Sequence, residues 1–426
     1  MKANISGFDS AQRKGFTLIE LLVVIAIIAI LAVVVVLTLN PAELLRQSRD
    51  ANRVSDMATL TSALSLYLTD QAGASTFNLG STASTGISVY DPNGSSTCGS
   101  LGLPSLGSST WYCGTSTSSR SVGGSGWIPV NLTAISAGTP IGSLPVDPTN
   151  QTSSGLFYSY NTNGTQFEAT ANLESSKYKT QYGNNPQTPN FPEVISGGTQ
   201  GISALYSNTG LVGYWPLNEG TGSSTIDQSG NGNGGTWSGT PAGNGGTYYA
   251  AGKVGSYAGY FNGNTGNDSV VTNGTVGALT SNFTVVAWIN NPSFSSVGDF
   301  TVVGDRLNAA SGWEIETPTS GNSAALLWRT FYGSSGNIYS AYMLNSGTWY
   351  QVAAVQLNGS ALLYVNGAQV LSQSITNPVA GSQAFAIGYI GVGSGGSSWL
   401  GSIDDVRIYN RTLSAAEIQA LYNAEK

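Results

Sequence analysis

The chain has 426 residues, of which 9% are charged, and its formal net charge at pH 7 is -7. This length exceeds that of a usual single domain and favours two globular units. The acidic balance disfavours nucleic acid as a partner, because phosphate groups require basic patches. The sequence contains no histidine, which excludes catalytic triads built on imidazole and the commonest zinc ligand. Any catalysis would therefore rest on carboxylates.

Phe16 to Leu39 form an apolar run whose one ionisable side chain is Glu20. At a helical rise of 1.5 Å per residue, this run predicts about 36 Å of helix, which spans a bilayer. An uncleaved signal anchor and a Sec signal peptide are alternatives, but the run is too long for a signal peptide and no small-residue cleavage pattern follows it. We therefore predict a single-pass segment in the cytoplasmic membrane, with Arg13 and Lys14 on the cytoplasmic side.

The segment Arg13 to Glu20, RKGFTLIE, resembles the prepilin leader junction of type IV pilins and pseudopilins. The resemblance implies that a prepilin peptidase cuts after Gly15 and that Phe16 becomes an N-methylated first residue. A carboxylate in a lipid-facing helix costs about 2.5–3.5 kcal/mol, so Glu20 needs a partner or a proton. The resemblance supplies a partner, the amine of Phe16 on the adjacent subunit of a fibre. The alternative is a polar residue tolerated near the membrane edge.

Asn40 and Pro41 interrupt the apolar run, and a proline there kinks a helix or ends it. From Leu44 to Leu68, apolar residues recur at steps of three and four, which predicts that the helix resumes. Together the two halves, residues 16–70, resemble the long spine helix of a type IV pilin or pseudopilin.

Residues 71–179 are rich in Ser, Thr and Gly and show short β-like runs. They contain both cysteines of the chain, Cys98 and Cys113. Export favours a disulfide over free thiols, and closing so short a loop would stabilise the fold by about 3 kcal/mol. The stretch from Leu144 to Ala169 is similar to the Pro-Asp-Pro turn and closing hairpin of major pseudopilins, where Asp147 either caps the turn or joins a metal site. Residues 180–210, rich in Asn, Pro, Gln and Gly, predict a linker.

Residues 211–426 show short alternating runs with Gly and Asn punctuation, which is typical of an all-β sandwich. Alternate residues from Phe283 to Ile289 fall on one strand face. Asn366 and Gly367 predict a two-residue hairpin, and Ser414 with Glu417 predicts a capping box that opens a short helix.

Several segments of this half, in chain order, resemble laminin-G-like, concanavalin A-like jelly rolls. The resemblance covers Leu211 to Asn423, and the fold hosts lectins, peptide-binding modules, hydrolases and spacers. The segments are LVGYWPL at 211–217, DQSGNGN at 227–233, FTVVAWI at 283–289 and IDDVRIYNR at 403–411.

The same resemblance implies a calcium site, formed by the oxygen-rich loop around Asp227, Asn231 and Asn233 together with Asp404 or Asp405. If the strand at 403–409 is regular, Asp404 shares a face with the apolar residues and Asp405 lies on the other face. Asp404 is therefore the preferred ligand. The alternative is a Gly/Asn surface turn and a surface ion pair between Asp405 and Arg407.

Glu314 and Glu316 point to the same side of a strand and partly resemble the carboxylate signature of glucanases with this fold. The third carboxylate of that signature is missing, so we interpret the pair as a solvated strand face and predict no catalytic residues. Most tryptophans of this half are expected in the core, whereas Trp237 and Trp399 stand among Gly and Ser and are expected to be exposed.

The sequence thus predicts an α+β pilin-like part, with a long hydrophobic spine helix and a small β head, followed by an all-β jelly-roll sandwich. The predicted parts are a leader at 1–15, a transmembrane and spine helix at 16–70, a pilin-like head at 71–179, a linker at 180–210 and the sandwich at 211–426. We predict a non-enzymatic, minor pilus subunit that leaves the cytoplasmic membrane for an extracellular fibre. It would display a lectin-like adhesion module for a glycan or a surface protein. The alternatives are a type II secretion pseudopilin that works by pushing, a surface hydrolase and a structural spacer.

Overall fold

The computed structural model describes residues 17–107, 109–182, 194–199, 203, 205–263, 268–274, 276–294, 299–308, 310–317, 324–381, 385–389 and 396–426. Within these ranges, the side chains of residues 32–39, 299, 306–308, 339, 396 and 397 lie outside the description. The predicted leader, Gly15 and Phe16 also lie outside the described residues.

Two helices begin the described chain, α1 at Leu18–Leu39 and α2 at Pro41–Gln71. They meet at Asn40, whose φ of 39° is left-handed and whose side chain accepts a hydrogen bond from the backbone of Glu43. Pro41 is the first residue of α2, where its missing N–H is not needed. The predicted interruption at Asn40 and Pro41 is therefore confirmed.

Over the part of the chain that the structure describes, no helix is both long enough and apolar enough to cross a membrane. The predicted span from Phe16 to Leu39 includes residues whose side chains lie outside the description, and it stays a prediction.

Helix α2 packs on a sheet with strand order β2-β1-β3-β4-β5, in which β1 and β2 are parallel and the other pairs are antiparallel. Leu60, Leu64 and Tyr67 of α2 are buried against Trp127 and Tyr158 in one apolar cluster. We call α2, this sheet and the short helix α3 the N-terminal unit. Its elements are β1 Ser84–Asp91, β2 Thr110–Thr115, β3 Tyr158–Thr162, β4 Phe167–Asn172, α3 Ser176–Tyr182 and β5 Val194–Gly198.

Strand β5 lies inside the region that the sequence predicts as a linker, residues 180–210. It pairs with β4 from Asn172 opposite Val194 to Glu168 opposite Gly198, and Val194 is fully buried. The Asn and Pro residues that suggest a linker lie at 183–193, outside the description. Strand β5 begins after them with apolar residues and forms the edge strand of the sheet.

Two facing sheets form the sandwich. One has the order β19-β18-β17-β12-β22-β10-β9, with β6 also on β22, and the other has the order β16-β15-β14-β13-β20-β11-β8-β7, with β21 also on β13. The elements are β6 Leu211–Trp215, β7 Ser224–Thr225, β8 Gly235–Ser238, β9 Tyr249–Ala251, β10 Tyr257–Asn262, β11 Ser269–Thr272, β12 Asn282–Asn290, β13 Asp299–Asn308, β14 Ser311–Thr317, β15 Ala325–Tyr332, β16 Ser335–Met343, β17 Tyr350–Leu357, β18 Ser360–Val365, β19 Ala368–Ser374, β20 Ala386–Ile387, β21 Gly396–Ser398, β22 Leu400–Tyr409 and α4 Ala415–Glu425.

Sequence patterns account for several of these elements. Phe283, Val285, Ala287 and Ile289 of β12 all lie in the sandwich core, as the alternation predicts. Asn366 and Gly367 have φ of 52° and 77° and join β18 to β19 by a two-residue turn, because both positions tolerate left-handed backbone. The capping box of Ser414 and Glu417 opens α4.

Helix α4 lies at the junction between the N-terminal unit and the sandwich. Ile418 and Leu421 of α4 share a buried apolar cluster, here called the junction core, with Leu205 and with Val286 and Tyr214 of the sandwich. Tyr206 in the same cluster donates a hydrogen bond to Asn172 of β4 at 2.7 Å. The sandwich is therefore packed directly against the N-terminal unit.

Candidate functional site

Glu20 is the third residue of α1 and part of a capping box with Thr17. The Thr17 backbone N–H and hydroxyl both donate to Glu20 Oε2 at 2.8 Å, and the Glu20 N–H donates to Thr17 Oγ1 at 3.3 Å. The carboxylate thus has a partner within its own chain, which sequence reasoning missed although Thr17 stands three residues before Glu20. Pairing of Glu20 with a neighbour's amine stays a prediction.

Cys98 and Cys113 form a disulfide with Cα atoms 5.7 Å apart, so this prediction is confirmed. Cys113 lies on β2 opposite Ile87 of β1, and Cys98 lies in the connection between those two parallel strands. Both sulfurs pack with Ile87 in a small apolar cluster. The disulfide therefore closes the crossover of the parallel pair.

Asp227, predicted as a calcium ligand, holds its own loop to β6. Its Oδ1 accepts from the backbone of Tyr214 and of Ser229, and its Oδ2 accepts from the backbone of Asn233, each at 2.9 Å. Asn231 and Asn233 turn their amide nitrogens to the carbonyls of Leu211 and Val212, at 3.1 and 3.0 Å. The three side chains thus stabilise the turn and hold the loop to β6 by hydrogen bonds.

Asp404 lies on the opposite strand face from the predicted one, whereas Asp405 pairs with Arg407, with which it was predicted to share a face. Asp404 pairs with Trp288 of β12, whereas Val406 and Ile408 lie in the core. Between the partners of Val286 and Trp288, β22 has one extra residue, and this bulge breaks the alternation of faces. Asp405 carries the irregularity, with a φ of 52°. The prediction that Asp404 shares the apolar face was therefore wrong.

The side chains predicted as calcium ligands are already engaged in contacts within the protein. Calcium requires six to eight oxygens that converge, and no group of three or more acidic, His or Cys side chains in the described ranges could hold a metal. Asp404 Oδ2 accepts instead from the backbone of Lys253 and Val254, at 2.8 and 2.9 Å. The predicted calcium site stays a prediction.

Arg407 centres a buried cluster at the base of α4. It pairs with Asp405 at 2.6 Å and with Glu425, and its guanidinium lies 4.4 Å from the ring centroid of Tyr214. Glu425 also accepts from Trp288 Nε1 at 2.6 Å. The Asp405–Arg407 pair, which the sequence analysis gave as an alternative at the surface, is present but fully buried, because α4 covers it. Burial also raises the pKa of Asp404 well above its usual value.

Arg53 centres a second buried cluster, which the sequence did not reveal. It contacts Asp147 at 2.6 Å and Asp50 and Glu174 at 2.7 Å. Asp147 also accepts from the backbone of Thr149 at 2.7 Å, so the turn-capping role, one of the two predicted for it, is confirmed. The cluster ties α2 to the end of the sheet, and its members are too distant in sequence for a local pattern to predict it.

Glu314 and Glu316 project from β14 and both pair with Arg329 of β15, at 3.2 and 2.5 Å. Both carboxylates are 2% exposed, so the predicted solvated strand face was wrong. A glycosidase needs two carboxyl groups on opposite sides of the scissile bond, whereas these two leave one strand on the same side and share one guanidinium.

Trp237 and Trp399, expected at the surface, are both buried in the sandwich core. Trp237 stacks on Tyr248 with ring centroids 4.9 Å apart, and Trp399 packs edge-on against Phe300. Gly259 of β10 lets the backbone approach the Trp237 ring closely, since a Cβ there would lie 2.9 Å from that ring.

Family models match two parts of the chain. The prokaryotic N-terminal methylation motif matches residues 10–36, and the concanavalin A-like lectin/glucanases superfamily matches residues 262–419. The chain joins a methylation-type N-terminus to a concanavalin A-like sandwich. It is thus pilin-like or pseudopilin-like at its start, with a lectin-like β domain after it. No curated protein sequence matches it.

Several solved structures resemble about half of the chain. The binding domain of Paraclostridial Mosquitocidal Protein 1 has 18% identity over 50% of this chain and 52% of that chain, with a TM-score of 0.39. Domain 4 of an extracellular arabinanase from Geobacillus stearothermophilus, in complex with arabinotriose, has 22% identity over 50% of this chain and 97% of its own, with a TM-score of 0.38. The botulinum neurotoxin type G receptor binding domain has 17% identity over 50% and 51%, with a TM-score of 0.37. The chain spans about half the length of the two toxin structures.

Proposed function

We propose that the chain is a minor type IV pilin subunit that carries its sandwich as a lectin-like binding module at the cell surface. The methylation motif over residues 10–36 carries this proposal, because it leads directly into the apolar helix α1. Exposed apolar side chains from Leu18 to Leu31 suit burial in the membrane before assembly and against other subunits afterwards. A minor role is inferred from the bulk of the sandwich, which a densely packed fibre would have to accommodate at every subunit.

The binding role is proposed without an enzymatic one. Glu314 and Glu316 are buried and both pair with Arg329, and the chain has no histidine to act as a base. The junction core holds the sandwich against the N-terminal unit, so a ligand on the sandwich would be connected to the fibre by packed protein. Such a connection suits adhesion, in which load passes from ligand to fibre.

Processing is tested by intact-mass analysis of protein from the native membrane. We expect a mature chain that begins at a methylated Phe16. A chain that begins at Met1, or that is cut between Leu21 and Leu39, would remove the basis of the pilin assignment.

Assembly is tested by the variant Glu20→Gln. It should be processed normally but should enter fibres poorly, because it lacks the charge proposed to pair with a neighbour's amine. Glu43→Gln, an acid in the first turn of α2, is the matched control and should assemble normally. Equal incorporation of both variants would contradict the pairing.

The binding role is tested by applying the full chain in detergent to an array of glycans and matrix proteins. Binding to at least one class is expected. Sugar release from β-glucans that disappears in Glu314→Gln would replace the binding proposal with a hydrolase.

A further inference from the structure

A cleft of about 640 Å³ lies between α3 of the N-terminal unit and the sandwich. This volume falls within the range of pockets that hold small organic ligands. Residues from α2, α3, β6, the loop before β10 and the end of α4 line it. Its lining includes Arg46, Lys179, Lys253, Lys426, Tyr257 and Gln228.

Positive charge is concentrated in this cleft. Beyond position 15 the sequence has four lysines, Lys177, Lys179, Lys253 and Lys426, and the last three of them line the cleft. The lining also includes the carboxylates of Glu174 and Glu425. Both carboxylates pair with arginines that are not among the lining residues, Glu174 with Arg49 and Arg53 and Glu425 with Arg407. The lining thus has four cationic side chains, of which Arg46 lies 3.8 Å from Glu43, and two carboxylates, so by formal charge it is cationic within an acidic protein.

The protein fixes one of these lysines through its backbone. Asp404 accepts the N–H groups of Lys253 and Val254, and the Lys253 ammonium lies 5.0 Å from the ring centroid of Trp288. The carboxylate predicted as a calcium ligand thus positions a cation at the cleft wall.

Two other ammonium groups of the cleft repel each other. Desolvation and the nearby charge of Lys179 lower the pKa of Lys426. Lys179 belongs to α3, and Lys426 follows α4, so the repulsion acts across the cleft. An anion placed between them would relieve it.

The remaining lining suits a sugar. Tyr257 is 42% exposed, and its ring lies over Gly220, where a Cβ would come within 2.7 Å of it. An exposed aromatic face packs against the apolar side of a sugar ring, and the exposed side chains of Gln228 and Ser256 can hydrogen-bond to its hydroxyls.

We propose that this cleft binds an oligosaccharide that bears carboxylate groups, a ligand class that rests on the binding role proposed above. The lysines and Arg46 hold the carboxylates, and Tyr257 holds a ring. The net negative charge of the chain does not prevent entry, because charges beyond about 8 Å are largely screened at physiological salt.

Calorimetry with the full chain in detergent tests the site, with trigalacturonic acid as the probe and neutral galactotriose as its uncharged counterpart. The double variant Lys179→Gln and Lys253→Gln should weaken trigalacturonate binding about tenfold or more, since each ammonium makes charge-assisted hydrogen bonds. Lys177→Gln, an exposed lysine of the same helix outside the cleft lining, is the matched control and should bind as the unaltered chain does. Unchanged melting temperatures would show that the variants fold.

Each outcome decides the proposal. Loss of binding in the double variant alone, with no binding of galactotriose, supports it. Binding by the double variant equal to that of the unaltered chain would place the ligand elsewhere. This outcome would overturn the cleft as the binding site but would leave the binding role of the sandwich intact. Absence of trigalacturonate binding at millimolar concentrations also overturns it. Displacement by inorganic phosphate at equal concentration would show a general anion site and would overturn the saccharide assignment.

Discussion

Arg53 and Arg407 are both fully buried, and each ties a helix to a sheet, but their surroundings differ. Glu174 beside Arg53 remains partly exposed, and although burial opposes the effect, hydrogen bonds from Arg49 and Arg53 lower its pKa. Around Arg407, the partners Asp405 and Glu425 are both buried, and Glu425 belongs to α4 itself. Burial raises the pKa of the adjacent Asp404. A carboxylate near a buried arginine therefore has a lowered pKa when it stays partly exposed to water and a raised pKa when it is fully buried. The stability of the two units should for this reason depend differently on pH in acid.

The largest expected effect on stability comes from replacing the central arginine of either cluster. Arg53→Met and Arg407→Met should each reduce the free energy of unfolding by about 3–5 kcal/mol, because each leaves buried carboxylates without a counter-charge. Chemical denaturation of the full chain measures this. Arg46→Met, whose exposed side chain lies 3.8 Å from Glu43, is the control and should change stability by less than about 1 kcal/mol. A loss that small in either buried variant would contradict the importance of its cluster.

A second prediction sharpens the pH contrast in the sandwich. Burial raises the pKa of Asp305 from 3.8 to about 6, and its Oδ1 has no hydrogen-bond partner among the described residues. Because the folded-state pKa is the higher one, the stability contributed by protonated Asp305 is present below about pH 4 and lost as pH rises to about 6. Asp305→Asn should therefore stabilise the sandwich at neutral pH by about 3 kcal/mol.

Hydrogen exchange in β13 and β14, followed between pH 4 and pH 7 after correction for intrinsic rates, measures this effect. Asp268→Asn provides a comparison with a carboxylate that accepts backbone N–H groups from Thr240 and Asn262. An unchanged pH profile in Asp305→Asn would show that Asp305 does not titrate in this range.

A third prediction concerns Asp227 and decides between its observed and predicted roles. Asp227→Ala should lower the free energy of unfolding by about 2 kcal/mol, because three backbone N–H groups lose their acceptor. Thermal melts should show the same loss with calcium and with chelator. A loss seen only in calcium would establish the calcium site predicted from the sequence.

The smallest expected effect lies in the N-terminal unit. The folded-state pKa of Glu174 is lowered, so its contribution to stability is present above its unfolded value of about 4.5 and is lost as pH falls through the folded value. Glu174→Gln should reduce the free energy of unfolding at pH 7 by about 1 kcal/mol and reduce the acid sensitivity of exchange in β4. Sensitivity equal to that of the unaltered chain would assign the acid response to other groups.

Local rules explain which parts of this fold could be predicted. The Asn366–Gly367 turn, the Ser414 capping box and the alternation of β12 depend on neighbours within a few positions, and all three are confirmed. Arg53 and Asp147 lie 94 residues apart, and Arg49 and Glu174 lie 125 apart, so no local pattern reveals their contact. The face of Asp404 was predicted wrongly for a similar reason, since a single extra residue at Asp405 reverses a strand's alternation without a mark in the sequence.

The candidate site shows the same limit. Lys179 and Lys253 belong to different units and line one cleft only because the units pack against each other, so the cleft could not be predicted from spacing. Trp237 and Trp399 were predicted wrongly because their flanking Gly and Ser residues suggest exposure, whereas both rings are buried in the sandwich core.

The break at Asn40 has a mechanical consequence for a subunit held by α1. Helix α2 has 31 residues and is therefore about 46 Å long, and it is joined to α1 through one left-handed residue. A change of about 10° in the angle between the two helices would displace the far end of α2, at Gln71, by about 8 Å. The sandwich, attached through the junction core, would follow that swing. The backbone angle at Asn40 would thus set the position of the cationic cleft relative to α1.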